Sequence, residues 1–264
     1  MNRIREWLRP AYHAARDGAG DLGFWVRRKA AKLRHAPGSA GQHFAILCVK
    51  RTEYVALAVR NINSLHLQNA GNRVTVFADR RCADALDRVH RRLDYPRQVD
   101  VVDRFGNDSR PWQLLKVEAL MEAAREGWIL VDADTIWHDQ PVVDPQRITF
   151  LVRAYDFGEV AAERAFLATW RRLDLLEAPH FVTGFMSIPS RCYSDALRAS
   201  CLEWTARVFE DPKLKRISEE IGVNIALQSA FPREQITTLK ASDGPNDKAI
   251  MQSLYYGCTN QIEE

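Results

Sequence analysis

The stretch Trp128-Ile129-Leu130-Val131-Asp132-Ala133-Asp134-Thr135-Ile136-Trp137 runs four apolar residues directly into a pair of acids. An apolar run of that length reads as a buried strand surfacing at one end of a sheet. Residues i and i+2 of an extended chain point the same way, so Asp132 and Asp134 can face one ligand together. Two hard carboxylate donors suit Mg²⁺ or Mn²⁺, ions that complete their shells with water and phosphate oxygens. The plainer alternative is a pair of acids that forms a turn and caps a helix. A bare Asp-x-Asp triplet is expected about once by chance in a chain of this composition, so its weight comes from its place after the strand.

The elements that must position this pair follow from the pattern upstream. Phe44-Ala45-Ile46-Leu47-Cys48-Val49 is a short apolar run of the buried-strand kind. Beyond the loop Lys50-Arg51-Thr52, residues Tyr54, Leu57, Ala58, Asn61, Ile62 and Leu65 share one helical face. The turn Asn69-Ala70-Gly71-Asn72 stops that helix, and Val74 to Ala78 is a second strand ending at Asp79. A further helix carries Ala85, Leu86, Val89 and Leu93, and a third strand, Gln98 to Val102, ends at Asp103. A helix from about Pro111 to Glu126 then leads into the acid-bearing strand. Strand and helix in alternation predict an α/β fold, a mostly parallel central sheet flanked by helices. Ligands of such sheets bind beyond the carboxyl ends of the strands, so the loops after Val49, Ala78 and Val102 should gather at one rim.

Residues 1–40 read differently. Nine Arg and Lys against Glu6, Asp17 and Asp21 give residues 1–35 a local charge of +6 within a total of +3, so the remainder carries about −3. Basic residues beside Trp7, Phe24 and Trp25 suit contact with an anionic membrane surface. A solvated helical arm packed on the domain or on a second copy of the chain is the alternative. Ala36-Pro37-Gly38-Ser39-Ala40-Gly41 reads as a linker, dividing an arm and linker over 1–40 from one domain over 41–264. No run of eighteen apolar residues and no apolar signal core occurs, which predicts a cytoplasmic protein held at most peripherally at the inner face of a membrane. Five scattered cysteines without a Cys-x-x-Cys pair argue against a zinc site or disulfide framework. Because the domain shows no basic surface pattern to match the arm, a nucleic-acid module is disfavoured.

Val131-Asp132-Ala133-Asp134-Thr135-Ile136 resembles the Leu-Asp-Ala-Asp-Thr-Ile motif of glycosyltransferase family 8, the glycogenin and galactosyltransferase-like group. Four other stretches agree in order. Ala45 to Val49, with Glu53-Tyr54 and Asn63-Ser64-Leu65, looks like the family's first strand and helix. Trp112-Gln113-Leu114-Leu115-Lys116 looks like the helix whose basic residue precedes the metal motif by sixteen positions. Thr183-Gly184-Phe185-Met186 resembles its Asn-Ser-Gly-Val-Met strand, and Glu219 to Leu227 its acidic helix. The similarity spans about residues 44–228.

That resemblance implies a GT-A, Rossmann-like fold and metal-dependent transfer of a sugar, from a nucleotide-sugar donor with UDP as the default nucleotide. The acceptor would be a glycan or lipid-linked glycan in bacterial-type surface polysaccharide assembly. Cys48, Val49, Lys50 and Thr52 would wrap the nucleotide and Tyr54 would stack on its base. Lys116 would touch the donor's phosphate or sugar, Asp132 and Ala133 would lie against metal or ribose, and Asp134 would chelate Mn²⁺ or Mg²⁺ directly. Thr183 and Gly184 would line the sugar pocket. Glu219 or Glu220 would stand beside the transferred sugar, as base if the enzyme inverts or as an orienting group if it retains, the outcome the resemblance favours. Three departures accompany the match. Val182 replaces the family's Asn, a Glu replaces the Asp that opens the acidic helix, and Leu254-Tyr255-Tyr256-Gly257 lacks the family's late metal-binding His, leaving that position to water or Asn260.

Other readings weigh each residue more plainly. Lys116 could be a solvated lysine, Tyr54 a core residue, and Glu219 and Glu220 the acids a helix start favours. Trp112, Trp137, Trp170 and Trp204 read as core, and His43, His66, His138 and His180 as structural or exposed. A non-catalytic nucleotide-sugar binder is the main rival to the enzyme. A sugar nucleotidyltransferase would want glycine in the loop that here reads Lys50-Arg51-Thr52-Glu53.

Overall fold

The computed structural model describes residues 41–137, 140–141, 143–152, 181–240 and 251–253. The first half alternates strictly: β1 (His43–Cys48), α1 (Glu53–Gln68), β2 (Arg73–Asp79), α2 (Arg80–Val89), β3 (Val99–Gly106), α3 (Trp112–Glu126) and β4 (Ile129–Val131). There follow β5 (Thr135–Trp137), β6 (Ile148–Val152), β7 (Phe181–Ser187), α4 (Asp195–Phe209), α5 (Ser218–Ala230), β8 (Ile236–Lys240) and β9 (Met251–Ser253). Seven of these strands form one sheet in the order β3-β2-β1-β4-β7-β6-β8. All pair in parallel except β7, which runs against both of its neighbours. A separate ribbon pairs β5 with β9 antiparallel.

Alternation along the strands explains the two layers. Phe44, Ile46 and Cys48 of β1 face a core made with Val55, Ala58 and Ile62 of α1 and Leu86 of α2. Ala45 faces the opposite core, with Leu115 and Leu120 of α3, Cys201 of α4 and Val223 of α5. The sheet is therefore covered on both sides, as a parallel sheet of Val, Ile and Leu runs requires.

Local chemistry sets the ends of the helices. Asp79 caps α2 by accepting from the Cys82 N–H at 2.9 Å. Gly127 closes α3 in the left-handed region (φ +71°), its N–H reaching the carbonyls of Ala123 and Ala124. Pro111 stands at the N-cap of α3, one residue before the helical turn in which the sequence places it. Gly222 lets α5 lie directly on α4, since a Cβ there would fall 2.6 Å from the Thr205 Cα. β3 continues past the expected end at Asp103 to Gly106, after an irregularity opposite Ala78 and Asp79.

Candidate active site

The parallel strands deliver their carboxyl ends to one rim, as anticipated, and the loops there are tied together. The Lys50 N–H donates to the Asp79 carboxylate at 2.6 Å, joining the ends of β1 and β2. The Lys50 ammonium donates to the Asp108 carbonyl beyond β3. Lys50 itself has φ +68°, a left-handed conformation costing a non-glycine residue roughly 1–2 kcal/mol.

At this rim opens a cleft of about 390 Å³, within the usual range for small-molecule sites. Val49, Lys50, Arg51 and Tyr54 form one wall, and Asp132, Ala133 and Asp134 the floor. Trp112 and Lys116 of α3, with Arg216, Glu219 and Glu220, close the opposite side. A larger, shallower groove of about 820 Å³ runs along β3 beside Glu122 and Trp128. It lacks a comparable convergence of buried charge, which singles out the smaller cleft.

The acid pair is not extended, contrary to the sequence argument. β4 ends at Val131, and a turn closes with the Thr135 N–H donating to the Asp132 carbonyl at 3.3 Å. The acids build the turn of the plainer reading, followed by a strand rather than a capped helix, and both line the cleft. Two anchors fix that turn. The Asp132 N–H donates to the Gly184 carbonyl of β7 at 3.0 Å. Asn61, fully buried on α1, donates from Nδ2 to the Asp132 carbonyl at 2.6 Å and accepts from the Trp137 indole at 2.9 Å. Ser64, one turn along, accepts from the Trp137 N–H at 3.0 Å.

Lys116 is buried rather than solvated. Its ammonium lies 2.6 Å from Asp132 Oδ1 and 3.9 Å from Glu219 Oε1. Burial works against its charge, but Asp132 and Glu219 overcome this and lift its pKa above the ordinary lysine value. Asp132 is raised by burial despite Lys116, and the nearby Asp134 raises it further. Glu219 is likewise raised by burial, with Lys116 opposing and Glu220 adding to the rise. Its Oε2 is buried without a hydrogen-bond partner. Asp132 and Glu219 thus face one buried lysine, with Asp134 and Glu220 beside them in the cleft, a cluster of carboxylates of the kind that can admit a divalent cation. Asp132 and Asp134 are the hard-oxygen donors that fit such an ion. Among the described residues no three His, Cys, Asp or Glu side chains form a metal-binding group. The missing-His segment 254–257 and Asn260 lie outside the described residues.

The cleft gathers Val49, Lys50, Tyr54, Lys116, Asp132, Ala133, Asp134, Glu219 and Glu220. Tyr54 packs against the core, the plainer expectation, and also lines the cleft. Cys48, Thr52, Thr183 and Gly184 are not among the lining residues. Cys48 belongs to the core on the α1–α2 side, Thr52 is the exposed residue before α1, Thr183 is buried, and Gly184 contributes its carbonyl to Asp132. Trp137 is core, as expected, whereas Trp112 is 39 % exposed at the mouth of the cleft. Trp170, His138 and His180 lie outside the described residues. Sequence reasoning missed Trp112, Arg216 and the anchor Asn61. Trp112 stands one turn ahead of Lys116, a spacing that could have pointed to it.

The mixed, mostly parallel sheet between helices is that of the GT-A fold seen in solved glycosyltransferases. Solved structures with this fold include the apo WbbM bifunctional glycosyltransferase, at 11% identity and TM-score 0.51, covering 77% of this chain and 40% of that one. Also similar are the glycosyltransferase GlyE of Streptococcus pneumoniae TIGR4 (13% identity, TM-score 0.49, 76% and 45% covered) and the galactosyltransferase LgtC with donor and acceptor sugar analogues (9%, 0.46, 75% and 73%). The chain thus spans less than half the length of WbbM or GlyE. These likenesses show the fold alone. No protein-family profile and no curated protein matches the sequence. Among the described residues no helix is long and apolar enough to cross a membrane.

Proposed function

We propose that the chain is a glycosyltransferase that moves a sugar from a nucleotide-sugar donor to a glycan or lipid-linked acceptor. The observation that carries this reading is the convergence of Asp132, Asp134, Lys116 and Glu219 in one cleft at the strand ends of a GT-A fold. Mn²⁺ or Mg²⁺ on Asp132 and Asp134 would neutralise the diphosphate leaving group. Lys116 adds a fixed positive charge where negative charge develops, held there by the protein before substrate arrives. Tyr54, with the loop of Val49 to Arg51, forms the wall suited to base and ribose. Glu219 and Glu220 face the space left for the sugar, where either can orient a hydroxyl or take its proton. UDP is the nucleotide the family 8 resemblance favours, with retention as the stereochemical outcome.

The basic residues 1–35, followed by the linker, extend the reading toward an acceptor at an anionic membrane surface and surface polysaccharide assembly. Their composition alone supports that part. A second reading is a donor-binding protein without turnover, favoured by one observation. The Lys116 ammonium already occupies Asp132 Oδ1 at 2.6 Å, where a metal would compete with it. A panel of nucleotide sugars incubated with Mn²⁺ separates the two. Donor hydrolysis or transfer, lost in Asp134→Ala, supports the enzyme; donor binding with no turnover across the panel supports the second reading.

A further inference from the structure

The wall formed by Val49, Lys50 and Arg51 has no glycine, yet it turns through a left-handed residue. The Arg51 N–H donates to the Val49 carbonyl at 2.8 Å, so the chain doubles back across Lys50 alone. A lysine relaxes out of that conformation unless its surroundings hold it there. The surroundings are the first turn of α2. Asp79, 8% exposed, accepts from the Lys50 N–H at 2.6 Å through Oδ2 and from the Cys82 N–H at 2.9 Å through Oδ1. Cys82, fully buried, donates its thiol to the Arg51 carbonyl at 3.6 Å. The turn is thus gripped on both sides of its strained residue, while the Lys50 ammonium ties it to Asp108.

We infer that Asp79 is a positioning residue for the nucleotide: it does not line the cleft but holds the Lys50 turn in the shape that forms the donor-binding wall. The inference rests on the donor-site reading above. Both of its carboxylate oxygens are engaged by backbone N–H groups, one in the strained turn and one in the helix that supports it. Charge-assisted bonds of this kind are the stronger ones and fix geometry as well as energy. Losing them frees Lys50 to return to negative φ and moves the walls at Val49 and Arg51. The nucleotide then has to reorder the turn on binding, which weakens affinity and leaves the Asp132–Lys116 side of the cleft unchanged.

The test combines amide hydrogen exchange on the free protein with UDP and GDP titrations in Mn²⁺ and steady-state kinetics, for wild type, Asp79→Ala and Asp79→Asn. In Asp79→Ala the Lys50 amide should exchange at least about tenfold faster, and Kd and KM should rise about tenfold with kcat within about threefold, corresponding to about 1.4 kcal/mol of binding. Asp79→Asn keeps one acceptor oxygen and should fall between the two, near a threefold rise. It carries the test if the alanine variant does not fold. Lys50 exchange equal to wild type overturns the inference, as does faster exchange with unchanged Kd, or a loss confined to kcat. A wild type that binds neither nucleotide refutes the donor-site reading instead, while the exchange comparison still decides whether Asp79 holds the turn.

Discussion

Replacing Asn61 with alanine is the sharpest test of how the acid-bearing turn is held. Asn61 is fully buried on α1, and its amide satisfies the Asp132 carbonyl and the Trp137 indole N–H at 2.6 and 2.9 Å. Asn61→Ala strands the indole N–H, at a cost of about 1–3 kcal/mol for a buried polar group left unsatisfied, and takes one of two hydrogen bonds from the Asp132 carbonyl, which keeps the Thr135 N–H, at a further cost of about 0.5–1.5 kcal/mol. The expected loss is therefore about 1.5–4.5 kcal/mol, a large part of the roughly 5–15 kcal/mol that holds a domain folded. Ser64→Ala strands the Trp137 N–H and should cost about 1–3 kcal/mol. Both variants act on Trp137, so their losses should not add in the double mutant. Urea denaturation followed by circular dichroism gives the values, with the m-value held as a check on two-state behaviour. A loss below about 1 kcal/mol in Asn61→Ala would show that the turn is held by something else, and the reasoning from stranded polar groups would fail.

Three other expectations concern the cleft and its sheet. Lys116→Met removes the buried cation facing Asp132 and Glu219 and should cost about 3–5 kcal/mol near pH 8. Both acids have folded pKa values raised above their unfolded ones, so the deficit should narrow as pH falls through those values; a pH-independent deficit in denaturant melts would contradict this. Trp112→Ala should raise KM for donor or acceptor about fivefold or more while changing stability by less than about 1 kcal/mol, and an unchanged KM would remove Trp112 from the site. His43, stacked on Trp128 and bonded to the Thr75 hydroxyl, has its pKa lowered to about 4, mainly by burial and then by Arg73. A lowered histidine pKa means that the unfolded chain takes up the proton first. Stability from this site is therefore complete above about pH 6.5 and lost between there and about 4, and His43→Asn should flatten the fall seen in melts across that window.

Much of the fold was legible because the parallel sheet writes itself as short apolar runs, of which Phe44 to Val49 and Ile129 to Val131 are the plainest. The site was legible where one such run ended in acids. What sequence could not show was the work of polar residues on apolar faces. Asn61 sits among Ala58, Ile62 and Leu65 on the helix face that meets the sheet, so periodicity counts it as core although its amide anchors the turn. Trp112 misled in the opposite sense. Its size argued for burial, but it lies at the first turn of α3, where the helix emerges at the rim. The extended reading of Asp132 to Asp134 failed where the turn offered beside it held, because an i, i+2 argument assumes extended backbone and the Gly184 and Asn61 contacts at the turn come from distant elements. Thr183 and Gly184 were placed in the pocket by resemblance, while here the Gly184 carbonyl supports the site from behind.

The central claim is that Asp132 and Asp134 hold a divalent ion on a nucleotide diphosphate in this cleft. Calorimetric titration of UDP and of GDP, each with and without Mn²⁺, into wild type and Asp134→Ala addresses it most directly. The account predicts binding of one nucleotide that requires Mn²⁺ and is lost in Asp134→Ala. Binding that ignores both the metal and the substitution would contradict it.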